Sequence, residues 1–331
     1  MAEVVLDNVT KNFGADIGVE GISLTVPDGA FVVLLGPTGA GKTTTLRLIS
    51  GLEKPDQGDI TIGGRSVIND SPAARNVAMV FQQYSLYPHL SVRDNLAFPL
   101  RSPILNRSDD EIARQVGEVA EVLQISNKLE NKATELSGGE MQRVSIGRAL
   151  VREPEIFLMD EPLSSLDAKL RSDLRVELKR IQASLGATFL YVTHDQIEAM
   201  TMATHVGVLD SGRLVQFGTP REIYENPVSI YVASRLGQPR INTLPVSVFG
   251  NAPSGAVTIG LRPEHIQQGE GKESTVTRVE HLGDHTRLHV NLENHDVITL
   301  ADVHTDLRPG DKVAIQPRSP LFFDANGVRI V

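Results

Sequence analysis

In Gly36-Pro37-Thr38-Gly39-Ala40-Gly41-Lys42-Thr43, three glycines lead into a lysine and a hydroxyl, the G-x-x-x-x-G-K-[ST] spacing of a phosphate-binding loop. Glycines let a backbone approach a polyphosphate, and N–H groups at a helix N-terminus, Thr44 included, complete the cradle. Lys42 would neutralise the β- and γ-phosphates of a nucleotide, and the Thr43 hydroxyl would ligate Mg²⁺. A second anion site of the same kind is Ser137-Gly138-Gly139-Glu140, which opens another helical stretch. One nucleotide has no evident need of two such loops, and a simple resolution is that two copies of the chain each lend one to the other's nucleotide.

Two adjacent carboxylates, Asp160 and Glu161, follow an apolar run and precede Pro162. Their expected roles are divided: Asp160 in the Mg²⁺ shell, Glu161 as general base on the attacking water. An exposed acidic turn is the alternative for an isolated pair of this kind. Gln82 ends another apolar run, where an amide faces either the metal and water or only its own loop. His194 lies two residues beyond a third run and would contact the γ-phosphate, although a lone histidine there also reads as structural. Phe13 reads equally as a core aromatic or as a ring on which adenine stacks.

The elements that must position these residues are visible as periodicity. Phe31 to Leu35, Val77 to Phe81, Ile156 to Met159 and Phe189 to Val192 are short apolar runs of the kind found in buried parallel strands, and each ends within two residues of a candidate residue. Leu46, Leu48, Ile49 and Leu52 line a helix after the phosphate loop. A helix to about Leu185 follows Ser164-Ser165-Leu166-Asp167, with Leu170, Leu174, Leu178 and Ile181 on one face. Val4 to Leu6 and Ile22 to Val26 predict strands near the N-terminus. A helical segment is expected over about 87–150, with a capping box at Ser108 and Glu111. Beyond Gly237-Gln238-Pro239 the pattern becomes short strands and turns, predicting a small β-barrel or OB-like domain over 236–331 after an α/β domain over 1–235.

Composition narrows the function. A formal charge of −9 over 331 residues argues against a broad nucleic-acid footprint, and residues 236–331 carry nine Lys and Arg against eleven Asp and Glu. Cysteine is absent, which removes disulfides and thiolate metal sites. The N-terminus does not read as a secretory signal, and no run approaches the roughly 20 apolar residues of a membrane span. His281, His285 and His289 read as surface polar residues of a hairpin in preference to a metal site.

Taken together, GPTGAGKT, Gln82, LSGGE, IFLMDEP, SSLD and His194 resemble, in order, the Walker A, Q-loop, signature, Walker B, D-loop and switch motifs of the ATP-binding-cassette ATPases. The resemblance spans residues 1–235 and implies an adenine-stacking role for Phe13 and a place for Asp167 at the nucleotide. It also implies MgATP hydrolysis by a head-to-tail homodimer, or a pair of related subunits, acting at the cytoplasmic face of the inner membrane. The implied partners are two permease subunits and, through them, a periplasmic or extracellular solute-binding protein. Residues 83–98, QYSLYPHLSVRDNLAF, are similar to the segment that forms a groove for a permease coupling helix. PRINTLP, GLRPEHI and LFFDANGVRI are similar to the C-terminal regulatory domain of carbohydrate-importer ATPases, where a regulatory protein can bind. Sugar or sugar-derivative import is the leading expectation; polyamine, metal or anion import, and an ATPase acting on DNA, are the alternatives. Glutamine is common where this chain has Glu140.

Overall fold

The computed structural model describes residues 2–102, 105 and 107–331, and the chain divides into two compact units, one ending at Pro220 and the other spanning Arg221–Val331. The change in composition predicts a domain boundary at 235/236. The two short helices just before that point, α7 (Pro220–Glu225) and α8 (Ile230–Arg235), instead begin at and follow the structural division.

The first unit holds two sheets. An antiparallel sheet of order β2-β1-β4-β5 contains β1 (Val4–Phe13), β2 (Asp16–Val26), β4 (Gln57–Ile62) and β5 (Arg65–Ser66). The first two strands run well past the apolar residues that announced them, because the Phe13 and Asp16 pair closes a long hairpin through a polar stretch. The second sheet, of order β10-β9-β3-β8-β7-β6, consists of β3 (Phe31–Leu35), β6 (Val77–Val80), β7 (Ile156–Asp160), β8 (Phe189–Thr193), β9 (His205–Asp210) and β10 (Arg213–Gly218). All its neighbours pair in parallel except β9 and β10. Every residue of β3, β7 and β8 is buried, which is why they read as unbroken apolar runs. Burying a Val, Leu or Phe side chain contributes about 1.5–3 kcal/mol, so each of these strands adds substantially to the unit's core. Strand β6 stops at Val80, one residue short of expectation, and Phe81 is exposed.

Helix α1 (Lys42–Ser50) leaves the phosphate loop and buries Leu46, Leu48 and Ile49 in the core beneath β3. Its other end is clasped by Arg75, whose buried guanidinium donates to Leu48 O at 2.7 Å and Ile49 O at 2.9 Å. Helices α5 (Ala168–Leu185) and α6 (Gln196–Met202) follow β7 and β8. The expected helical segment contains α2 (Val92–Ala97), α3 (Asp109–Val122) and α4 (Gly138–Leu150). The Ser108–Glu111 capping box at the start of α3 is formed in both directions.

The second unit continues from α7 and α8 into two four-stranded antiparallel sheets. One, of order β11-β12-β17-β18, contains β11 (Asn242–Pro245), β12 (Thr258–Leu261), β17 (Leu321–Phe323) and β18 (Arg329–Ile330). The other, β15-β14-β13-β16, contains β13 (Ile266–His281), β14 (Thr286–Leu292), β15 (His295–Ala301) and β16 (Lys312–Pro317). The sheets share an apolar core of Leu244, Leu261, Val276, Leu288 and Ile315. The Asn242 amide stitches them together by donating to Ile298 O at 2.8 Å and accepting from Ile298 N at 2.7 Å. Arg262, almost fully buried, donates to Tyr224 O and Ala233 O and also bonds Leu236 O, so one guanidinium caps α8 and holds α7. His281 and His289 lie on the facing strands of the β13–β14 hairpin.

Candidate active site

Three adjacent parallel strands, β3, β8 and β7, deliver their C-terminal ends to one edge of the sheet, the position at which α/β folds hold ligands. Gly41 sits at φ 96°, and a Cβ there would lie 2.6 Å from Gly18 O, so glycine is required both for the turn and for the close approach of the β2 backbone. No side chain caps the N-terminus of α1, which leaves its first N–H groups available to an anion. Lys42, 6% exposed, places its ammonium 2.9 Å from Gly36 O, 3.0 Å from Pro37 O and 3.6 Å from Glu161 Oε1.

The strand ends bring in the remaining chemistry. Thr43 Oγ1 donates to Asp160 Oδ1 at 2.9 Å, which sets two hard oxygen donors side by side, as an Mg²⁺ shell requires. Burial pushes the Asp160 carboxyl above its ordinary pKa, and the neighbouring Glu161 charge adds to that effect; the Thr43 hydrogen bond acts against it. Glu161 takes a left-handed backbone, φ 45°, a conformation that costs a non-glycine residue about 1–3 kcal/mol. It is held there by its N–H to Val192 O and by Ser164, whose N–H and Oγ both donate to Glu161 O. The second carboxylate oxygen, Oε2, lies 3.0 Å from His194 Nδ1. Glu161 thus stands between a lysine and a histidine, with both oxygens engaged.

A cleft of about 380 Å³ is lined by Thr38, Gly39, Gly41, Lys42, Thr43 and Thr44, with Gln82, Asp160 and Glu161 opposite and Phe13, Ile17 and Gly18 at one end. Phe13 is 43% exposed, which removes the core-aromatic reading. It lies at the tip of the first hairpin, with Lys11 Nζ 5.5 Å from its ring centre. Gln82 also reaches Ser164 Oγ, at 3.5 Å. Gly36 and Pro37 contribute carbonyls to Lys42, and Ala40 is buried beneath the loop. Ile17 and Gly18 carry no motif; only the hairpin pairing could have found them.

Among the described residues, Ser137, Gly138, Gly139, Glu140 and Asp167 do not line this cleft. Ser137 and Glu140 instead form a reciprocal capping box on α4, with Ser137 N donating to Glu140 Oε2 at 2.8 Å and Lys128 pairing with Glu140 Oε1 at 3.1 Å. Asp167 caps α5 by accepting from Leu170 N at 3.0 Å. No cluster of His, Asp or Glu able to hold a metal is found among the described residues. His281 bonds Thr286 Oγ1, and His289 lies 3.5 Å from Glu280.

A family model described as "ABC transporter" matches residues 19–164, and one described as "TOBE domain" matches residues 259–320. The sn-glycerol-3-phosphate import ATP-binding protein UgpC of Brucella abortus biovar 1 (strain 9-941) is 49% identical over 312 residues, covering 89% of this chain and 88% of its own. The protein of the same name from Ruegeria pomeroyi (strain ATCC 700808 / DSM 15171 / DSS-3) is 46% identical with the same coverages. Among solved structures, the dimeric MJ0796, a bacterial ABC transporter cassette, is 30% identical with a TM-score of 0.59, covering 66% of this chain and 99% of that one. With this fold, this cleft and these relatives, the chain belongs to the ATP-binding-cassette transporter family as an ATP-hydrolysing importer subunit with a C-terminal TOBE domain.

Proposed function

We propose that MgATP is hydrolysed at the cleft around Lys42, with Glu161 as general base. The observation that carries this reading is the position of Glu161, held in a disfavoured backbone conformation between Lys42 and His194 and beside the Thr43–Asp160 pair. Lys42 and the N–H groups opening α1 would bind the phosphates, while Phe13 would stack on adenine. The Glu161 carboxylate would take the proton of the attacking water, and His194 would hold that carboxylate and water in line. Thr43, Asp160 and Gln82 would hold Mg²⁺, which when bound offsets the charge of the phosphate oxygens.

The exposed Ser137, which stays out of its own cleft, supports a head-to-tail dimer in which Ser137 and its glycines, together with Asp167, complete the partner's site. A dimeric cassette among the solved relatives supports assembly as a pair. Permease docking is supported by a groove of about 300 Å³ lined by Phe81, Tyr84, Tyr87, Phe98 and Arg148, with the Arg148 guanidinium 4.8 Å from the Tyr87 ring centre. No helix among the described residues is long and apolar enough to cross a membrane, so separate permease subunits would supply the path and hold this chain at the cytoplasmic face. The names of the relatives make a sugar derivative such as glycerol 3-phosphate the solute to test first. Glu161→Gln should retain ATP binding, lower hydrolysis by about 10²-fold or more and accumulate an ATP-bound dimer. Near-normal turnover would remove Glu161 as the base.

A further inference from the structure

Arg171 stands in the first turn of α5, and its side chain turns back toward the start of its own helix. Its Nε donates to Leu163 O at 3.2 Å, and its Nη2 donates to Leu166 O at 2.9 Å and Ser164 O at 3.4 Å. Its Nη1 lies 3.7 Å from Asp195 Oδ2. The three carbonyls belong to the turn that begins at Glu161, and Asp195 directly follows His194. Strands β7 and β8 are parallel neighbours, so the two turns emerge side by side from the sheet. At the front they meet through the Glu161–His194 contact, and at the back through Arg171 and Asp195.

The chemistry is specific to a guanidinium. A planar fork can serve three carbonyls and a carboxylate together, whereas an ammonium is a single point of charge. A cation in the first turn of a helix also faces the positive end of the helix dipole, an unfavourable place for a merely solvating side chain. Asp195 is itself fixed, because its Oδ1 accepts from Ile197 N at 2.7 Å as the cap of α6, and its N–H donates to Thr193 Oγ1 at 2.9 Å. Ser164 closes the circuit: its carbonyl accepts from Arg171, its hydroxyl donates to Glu161 O, and the same hydroxyl accepts from Gln82. A left-handed glutamate persists only where its surroundings over-determine it, and this ring of contacts does so.

We infer that Arg171 is a positioning residue for hydrolysis: it locks the Glu161–Asp167 turn to the His194–Asp195 turn, so that carboxylate, imidazole and the start of α5 move as one piece. The inference rests on the assignment of Glu161 and His194 to the hydrolytic site.

The test is steady-state ATPase activity of the full-length protein, with nucleotide affinity and melting midpoint measured on the same samples. Arg171→Ala should lower kcat by about tenfold or more while leaving KM for ATP within about twofold, the pattern of misplaced but bound groups. Arg171→Lys should recover only a small part of the loss. Asp195→Asn, which can still cap α6, should lower kcat less than Arg171→Ala, and the double variant should be no worse than Arg171→Ala alone. If Arg171→Ala does not fold, Arg171→Lys and Asp195→Asn carry the test, and wild-type kcat in both overturns the inference. A purely structural role would move kcat, nucleotide affinity and melting midpoint together, and that result also overturns it. A normal rate in Glu161→Gln overturns the assignment of the site itself, whereas a normal rate in Arg171→Ala beside an inactive Glu161→Gln overturns the Arg171 inference alone.

Discussion

Asp160 is the residue at which stability and function pull apart. Its carboxyl is 9% exposed and its pKa is raised, chiefly by burial. A raised folded-state pKa means that the full stability is present below the ordinary carboxylate value and is lost as pH rises through the folded value. At neutral pH the charged form is therefore a burden on the nucleotide-free protein. Asp160→Asn should abolish hydrolysis yet raise stability at pH 7 by about 1 kcal/mol, a melting midpoint higher by ~2–4 °C, with the gain vanishing below pH 4. Scanning calorimetry across pH checks this, and a lower midpoint at pH 7 would contradict it. Glu140 behaves in the opposite sense, since the Ser137 N–H holds its pKa down; its contribution is present above the ordinary carboxylate range and lost as pH falls through the lowered value. At this scale the sequence was legible wherever chemistry lies in consecutive residues, as in Gly41-Lys42-Thr43 or Asp160-Glu161. Arg171 and Asp195 were not legible, because their pairing depends on which strands become neighbours.

Elements differ in how much of themselves they announce. Strands β3, β7 and β8 were readable because burial on both faces demands continuous apolar sequence. Strand β13 announces less, because it runs from Ile266 to His281 straight through the turn-like Gly269-Glu270-Gly271. The register against β16 slips between Gln268 and Lys272, so the glycines form an irregularity inside the strand and not a turn between two. The β1–β2 hairpin hid its length in the same way, and Phe13 with it. The turn before α1 gives the prediction that belongs here. Gly41→Ala places a methyl group 2.6 Å from Gly18 O at φ 96°, and should cost about 1–3 kcal/mol of stability and most ATP affinity. Equilibrium urea unfolding and nucleotide titration measure both; unchanged affinity would mean that the loop has more room than its geometry indicates.

For the whole molecule, the decisive feature is a signature loop that stays out of its own cleft. In mixed dimers in which one copy carries Ser137→Arg, photoaffinity labelling with an ATP analogue should fall on the unaltered copy and persist on the altered one, whose phosphate loop meets an intact partner. Loss confined to the altered copy would reject sharing between subunits. The division after Pro220 was not legible, because it falls at the start of α7, before the composition changes, and rests on what α7 and α8 touch. Arg262 makes that contact through carbonyls of α7 and α8, a partnership no local pattern announces. Arg75 has a different bearing on the molecule. By grasping the rear of α1, it moors the phosphate loop from behind, at a distance of roughly 14 Å for a nine-residue helix. Slack introduced there would reach the triphosphate without touching it, so the back of this subunit is a handle on its front.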